Sequence, residues 1–168
     1  MTTRFNTQTW YENTQYRKEN GISALYCSPC PLAIPLNTIM YVIEMNNSTN
    51  QIEGIGVARN MCRLDMSHRV YEEYQDFNRY VFKGKYHMSR EELVQINAAL
   101  VEIIEEILFL GKAHYKRGRS MTALGKKFYV KLKSMSGDVL KNMCTDAIER
   151  NMLSIIKEIF RTKYGVTA

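Results

Sequence analysis

Between Gly111 and Lys133 the chain carries eight basic side chains and no acidic one: Lys112, Lys116, Arg117, Arg119, Lys126, Lys127, Lys131 and Lys133. Lysine and arginine neutralise phosphate oxygens and release condensed counterions, and this release dominates nucleic-acid affinity. Arg117 and Arg119 add a guanidinium fork that binds phosphate oxygens in pairs. His114 stands in the same run as a further phosphate contact. Tyr115, Phe128 and Tyr129 are interleaved aromatics of the kind that stack on bases, and Gly111 and Gly118 allow close backbone approach. Removing these eight from the 23 basic residues leaves 15 against 17 acidic ones. All the excess positive charge therefore lies in this one stretch, which points to a polyanionic partner. The expected nucleic-acid-binding set is Lys112, His114, Tyr115, Lys116, Arg117, Arg119, Lys126, Lys127 and Lys131, with RNA or single-stranded nucleic acid as the favoured ligand. An acidic protein surface satisfies the same charge, and so does a merely solvated face.

The other chemistry-bearing residues form no recognisable set. Cys27-Ser-Pro-Cys30 has the spacing of a metal knuckle, but a structural zinc needs four ligands and there is no second such pair. Cys62 and His68 complete a site only if the fold brings them near, so the expectation is two loop cysteines, no metal and no cofactor. His68, His87 and His114 each stand apart from any acid or thiol. The carboxylate pairs Glu72-Glu73, Glu91-Glu92 and Glu105-Glu106 are adjacent residues, which do not face one another on a helix. No P-loop, GxGxxG or GxSxG occurs. The chain is expected not to be an enzyme. Three readings are weighed: a nucleic-acid-binding module, a structural or interaction protein whose basic face meets an acidic partner or packaged DNA, and an enzyme acting on nucleic acid, for which no catalytic set is evident.

These residues need elements to position them. A hydrophobic share of 45% supplies a core for one domain across residues 1–168, mainly β to 88 and mainly helical after it, with the basic stretch as connector. Ile39–Met45 and Gln51–Ala58 are apolar runs joined by Asn46–Asn50, which predicts an antiparallel hairpin. Gly54 and Gly56 predict a bulge or a close backbone approach. Tyr80–Phe82 predicts a third strand. Ser89 and Glu92 form a capping-box signature ahead of Leu93, Ile96, Leu100, Ile103 and Ile107, predicting a helix over Arg90–Leu110. A second long helix is expected from near Asp138 to before Gly165, with Val139, Met143, Ile148, Met152, Ile155 and Ile159 as its apolar set. Phe128–Leu132 alternates like a strand but permits a helix. Residues 1–38 show little periodicity: Trp10 and Tyr11 stand in a polar segment that suits a short helix or a strand, and Pro29, Pro31 and Pro35 mark an extended loop. The fold class is α+β: a small antiparallel sheet or barrel packed with two long helices from the second half.

The segment Ile39–Arg59 resembles the strand–turn–strand of the PUA-like superfamily, which includes the YTH, EVE and ASCH domains. The match is a hydrophobic strand, a polar turn and a strand ending in Gly54-Ile-Gly56-Val-Ala58. The resemblance implies a small curved β-barrel flanked by helices, with Tyr80–Phe82 as a further barrel strand, binding RNA or modified bases. YTH domains hold a methylated base in a tryptophan-rich cage; the only tryptophan here, Trp10, lies outside the matched segment, so no cage residue is carried over. The richness in Asn, Met, Tyr and Ile is similar to that of proteins from large DNA viruses. No run is apolar and long enough to span a bilayer, and the polar N-terminal segment lacks a signal-peptide core. The four cysteines, Cys27, Cys30, Cys62 and Cys144, are accordingly expected as reduced thiols in cytoplasm, nucleus or virion.

Overall fold

A computed structural model describes residues 1–62, 68–118, 121–135 and 145–165. Arg119, Cys144 and the helix start expected near Asp138, with Val139 and Met143, lie outside the described residues. The elements are β1 (Thr2–Phe5), α1 (Thr7–Glu19), β2 (Ala24–Ser28), β3 (Ile39–Asn46), β4 (Gln51–Arg59), a 3-10 turn (Gln75–Arg79), β5 (Tyr80–Gly84), β6 (Tyr86–Ser89), α2 (Arg90–Phe109), α3 (Lys126–Met135) and α4 (Thr145–Tyr164). The fold is α+β.

The predicted hairpin is present as β3 and β4, paired antiparallel from Ile39 opposite Arg59 to Asn46 opposite Gln51. Its register shifts between Glu44 and Met45, which face Gly54 and Ile52, so Glu53 is the extra residue of a bulge. β6 continues the sheet antiparallel along β4. β1 lies parallel along the other side of β3. The order is β1-β3-β4-β6, and β2 with β5 forms a separate two-stranded sheet. The sheet is therefore open, not the closed barrel implied by the resemblance. Closure needs the edge strands to pair with each other, and here Tyr80–Gly84 leaves the main sheet to pair with Ala24–Ser28.

Strand alternation assigns the faces. Tyr41, Ile43, Met45, Ile55 and Met88 pack against the helices with Ile104, Ile107, Phe128 and Phe160 in the largest core cluster. Met40, Val42 and Ala58 point to the opposite face and meet Ala24, Tyr26 and Phe82 of the second sheet. The outer face of that second sheet, Leu25, Cys27 and Val81, is covered by Phe5, Val70 and Tyr71, with Trp10 and Tyr16 of α1 beside them. The layers thus run helices, sheet, sheet, helix. Each fully buried large apolar side chain contributes roughly 1.5–3 kcal/mol.

The helices depart from simple periodicity where a local device intervenes. The capping box at Ser89 is present, with Ser89 Oγ accepting from Glu92 N at 3.3 Å and Glu92 Oε2 accepting from Ser89 N at 2.9 Å. Asn97 interrupts α2 with an extended backbone, and its side chain caps the next turn by accepting from Leu100 N at 3.0 Å. The break rotates the buried face: Ile96 is 54% exposed, while Val101, Ile104, Ile107 and Leu108 point inward. Phe128–Leu132 is helical, not a strand, because Phe128, Tyr129 and Leu132 bury at helical spacing. In α4 the inward residues are Met152, Ile156, Ile159 and Phe160, whereas Ile155 from the expected apolar set faces out. Residues 1–38 hold β1, α1 and β2. α1 is fastened by a capping box between Asn6 and Thr9.

Candidate nucleic-acid interface

The basic stretch leaves α2 as a loop over residues 110–118, returns to the sheet edge where Thr2 bridges Thr122, and continues into α3. Lys112, Arg117, Lys126 and Lys127 are exposed, and among the described residues none of them forms an ion pair or hydrogen bond. Two of the residues expected to meet the ligand have internal work. Lys131 Nζ donates to Leu110 O at 3.1 Å and Ile107 O at 3.5 Å, so it satisfies terminal carbonyls of α2 and complements the helix dipole. Lys116 Nζ donates to Asn50 Oδ1 at 2.7 Å, which ties the loop to the β3–β4 turn. His114 is half-buried, and its Nδ1 accepts from Lys116 N at 3.2 Å. Arg119 lies outside the described residues.

The interleaved aromatics are not stacking platforms. Phe128 is completely buried and Tyr129 nearly so. Tyr115 turns its half-buried ring onto Phe128, with centroids 6.1 Å apart at 80°. Helical spacing in α3 aims Phe128 at the core, and the Tyr115 backbone is anchored by donation from Tyr115 N to Leu108 O at 2.7 Å.

The fold brings a different cation and a different group of aromatics to the loop. Arg4 of β1 donates from Nε to Tyr115 O at 2.5 Å and from Nη1 to Thr122 Oγ1 at 3.1 Å. Burial lowers its pKa, the field of Tyr115 acting in the opposite direction; a guanidinium stays charged regardless. Gly118, at φ +123°, lets the guanidinium lie against the backbone. Beside it opens a cleft of about 240 Å³, walled by Phe5, Tyr71, Tyr74 and Phe77 and edged by Arg4, Asn47 and Gly118. Nothing local in the sequence marks Arg4, which the parallel β1–β3 pairing delivers. The aromatics do have a signal, the close clustering of Tyr71, Tyr74 and Phe77, of which Phe77 lies in the 3-10 turn and the other two in the segment leading into it.

His87 is not isolated. Its Nε2 lies 2.7 Å from Glu44 Oε2, and Glu44 Oε1 accepts from Tyr26 Oη at 2.9 Å and Arg17 Nη1 at 3.5 Å. Glu44 is fully buried. Burial, reinforced by the Glu44 charge, pushes the Tyr26 hydroxyl well above the usual tyrosine range. The local signal was a carboxylate on an inward-facing position of an apolar strand. Glu105 is partnered as well: it takes Arg90 Nε and Nη2 at 2.8 and 3.0 Å and also accepts from Ile52 N. His68 Nδ1 lies 3.1 Å from Tyr16 Oη. Cys62 packs with the second-sheet cluster instead. Among the described residues no three His, Cys, Asp or Glu side chains are grouped to hold a metal.

Cys27 belongs to β2, not to a loop, and burial pushes its thiol up to about 12. Only thiolate reacts with alkylating reagents, so at pH 8 Cys27 is expected to resist iodoacetamide in the folded chain while exposed Cys30 is modified. Peptide mass mapping before and after denaturation checks this. Equal labelling of both in the folded state would contradict the placement.

Among the described residues no helix is long and apolar enough to cross a membrane. Comparison with protein-family models, with curated proteins and with solved structures found no match to this chain.

Proposed function

We propose that the chain binds single-stranded nucleic acid, RNA or DNA, through the loop after α2 and the first turn of α3, and that it is a binding protein rather than a catalyst. The observation that carries this reading is the group Lys112, Arg117, Lys126 and Lys127, exposed and un-neutralised among the described residues. A core-stabilising role does not account for them. Lys126 and Lys127 open α3, whose first turn holds no acid. Cations at a helix N-terminus oppose the dipole, at a cost of about 0.3–1 kcal/mol each, whereas an anion there is stabilised. Lys131, placed at the end of α2, does the opposite and stabilises. The histidine and carboxylate best placed for acid–base work, His87 and Glu44, are paired with each other and with Tyr26 and Arg17 inside the fold.

The test is the salt dependence of binding to single-stranded RNA, single-stranded DNA and duplex DNA, read by fluorescence anisotropy. Lys112, Arg117 and Lys127 replaced together with alanine should weaken single-strand binding while the thermal transition holds. The slope of log K against log salt should fall by about two units, near 0.7 for each phosphate no longer neutralised. An unchanged slope in the folded variant would make the stretch a solvated face. Absence of binding by the parent chain near physiological salt would transfer the basic face to an acidic protein partner.

A further inference from the structure

The cleft beside Arg4 has the chemistry of a nucleobase receptor, and we propose that it takes one amino-bearing base of the bound strand while the basic loop holds the adjoining phosphate; this rests on the nucleic-acid reading above. Its volume of about 240 Å³ is just below the roughly 300 Å³ at which drug-sized pockets begin, a size suited to a single planar ring system. Of the four aromatic residues that line it, Tyr74 and Phe77 are partly exposed and offer ring surface, whereas Phe5 and Tyr71 are buried behind it. Tyr71 is held rigidly, its hydroxyl accepting from Asn13 Nδ2 at 3.1 Å. Phe77 stands edge-on to both Tyr71 and Tyr74, with centroids 6.4 and 6.5 Å away. Every base has a π-face, so such walls accept a base without demanding a particular one.

Two polar groups supply direction. Asn47 donates through Nδ2 to Lys116 O at 3.0 Å, which orients the amide, and its Oδ1 is a buried acceptor without a hydrogen-bond partner. An unfilled acceptor beside an aromatic cleft matches the exocyclic amine of adenine, cytosine or guanine. Arg4 brings the charge. Because Asn47 and Arg4 bond the backbone of Lys116 and Tyr115, the cleft and the cationic loop are joined at both points. A base in the cleft and a phosphate on Arg117 are then neighbouring parts of one ligand.

Trp10, the only tryptophan, packs its ring 5.1 Å from that of the cleft residue Phe5 and reports occupancy by fluorescence. The full chain is titrated with a short oligo-deoxyadenosine, with an abasic oligomer of equal length, and with adenosine monophosphate. The base-bearing strand should bind roughly tenfold tighter than the abasic one, the equivalent of one stacked base. That advantage should vanish in Phe77→Leu and Tyr74→Leu, which keep apolar volume and remove the ring face, while abasic binding stays unchanged. Equal binding of both oligomers by the parent chain overturns the cleft and leaves the nucleic-acid reading standing. A base preference that survives both leucine variants also overturns it, because the base then sits elsewhere. Monophosphate binding without oligomer binding keeps the cleft as a nucleotide site and removes the nucleic-acid reading. Binding of none of the three ligands removes both.

Discussion

Glu44→Ala is expected to be the most destabilising single side-chain removal in the chain, at about 3–5 kcal/mol. That is a large share of the roughly 5–15 kcal/mol by which a domain is stable. The carboxylate is wholly buried, and its two oxygens are met by His87 Nε2, Tyr26 Oη and Arg17 Nη1. An ionised carboxylate in such a place is tolerable only because a cation and hydrogen bonds surround it. Alanine removes the acceptor, leaves the Tyr26 hydroxyl buried without that partner, and takes the carboxylate from Arg17, whose side chain is only 12% exposed and keeps its bond to Ser23 O. Glu44→Gln keeps an acceptor for Tyr26 and should cost less than alanine. Urea denaturation followed by circular dichroism measures all three proteins. A midpoint for Glu44→Ala within error of the parent would mean that the cluster contributes nothing to stability.

Gly84→Ala and Gly56→Ala should each exceed the roughly 1–3 kcal/mol usual for overpacking. The cause is steric, since neither residue has a left-handed backbone. An alanine Cβ at Gly84 would fall 1.9 Å from Val57 O, a backbone atom of β4 that cannot rotate away. At Gly56 it would fall 1.9 Å from Tyr26 Oη and 2.8 Å from Ala24 Cβ. Either change drives the second sheet off the first and opens the Glu44 cluster. Gly125→Ala is the control, because nothing lies within 4 Å of its Cβ. Thermal melts of the three variants separate the cases. A Gly84→Ala transition as high as that of Gly125→Ala would show that the two sheets can part at little cost.

These glycines show how far the sequence was legible. The Gly54-Ile-Gly56 phrase pointed to a bulge and a close approach, and the structure contains both. What approaches, the Met88 backbone carbonyl at Gly54 and the Tyr26 hydroxyl at Gly56, comes from strands remote in sequence that no local pattern connects. The β3–β4 hairpin and the start of α2 were readable because alternation, turn residues and a capping box are short-range devices. Around Trp10 and Tyr11 the sequence left helix and strand open, and α1 was not singled out, because its one fully buried residue is Asn13, which donates to Leu25 O at 3.1 Å, so no apolar stripe marks it. The α2 stripe misassigned Ile96 because Asn97 breaks the period. Among the basic residues, charge was legible but partnership was not: Lys131 and Lys112 look alike in sequence, yet one caps a helix and the other faces solvent. Arg4 was invisible because strand pairing, not spacing, carries it to the loop.

The bridge between Thr2 and Thr122, with Thr2 N to Thr122 O at 2.8 Å and Thr122 N to Thr2 O at 2.9 Å, has a kinetic side. It closes one of the longest loops the chain can form, and loop closure of that span comes late in folding. During synthesis the first strand must wait for more than a hundred residues before its last partner exists. The β3–β4 hairpin faces no such delay. Arg4 and the loop that it supports are therefore expected to assemble together, late in folding. In the native state the same edge is the natural first place for sub-global opening, with amides of Thr2 and Thr122 exchanging hydrogen as one unit. The proposed ligand, spanning cleft and loop, would bind only the closed form and would slow that exchange in proportion to its occupancy, which would make the first strand a latch.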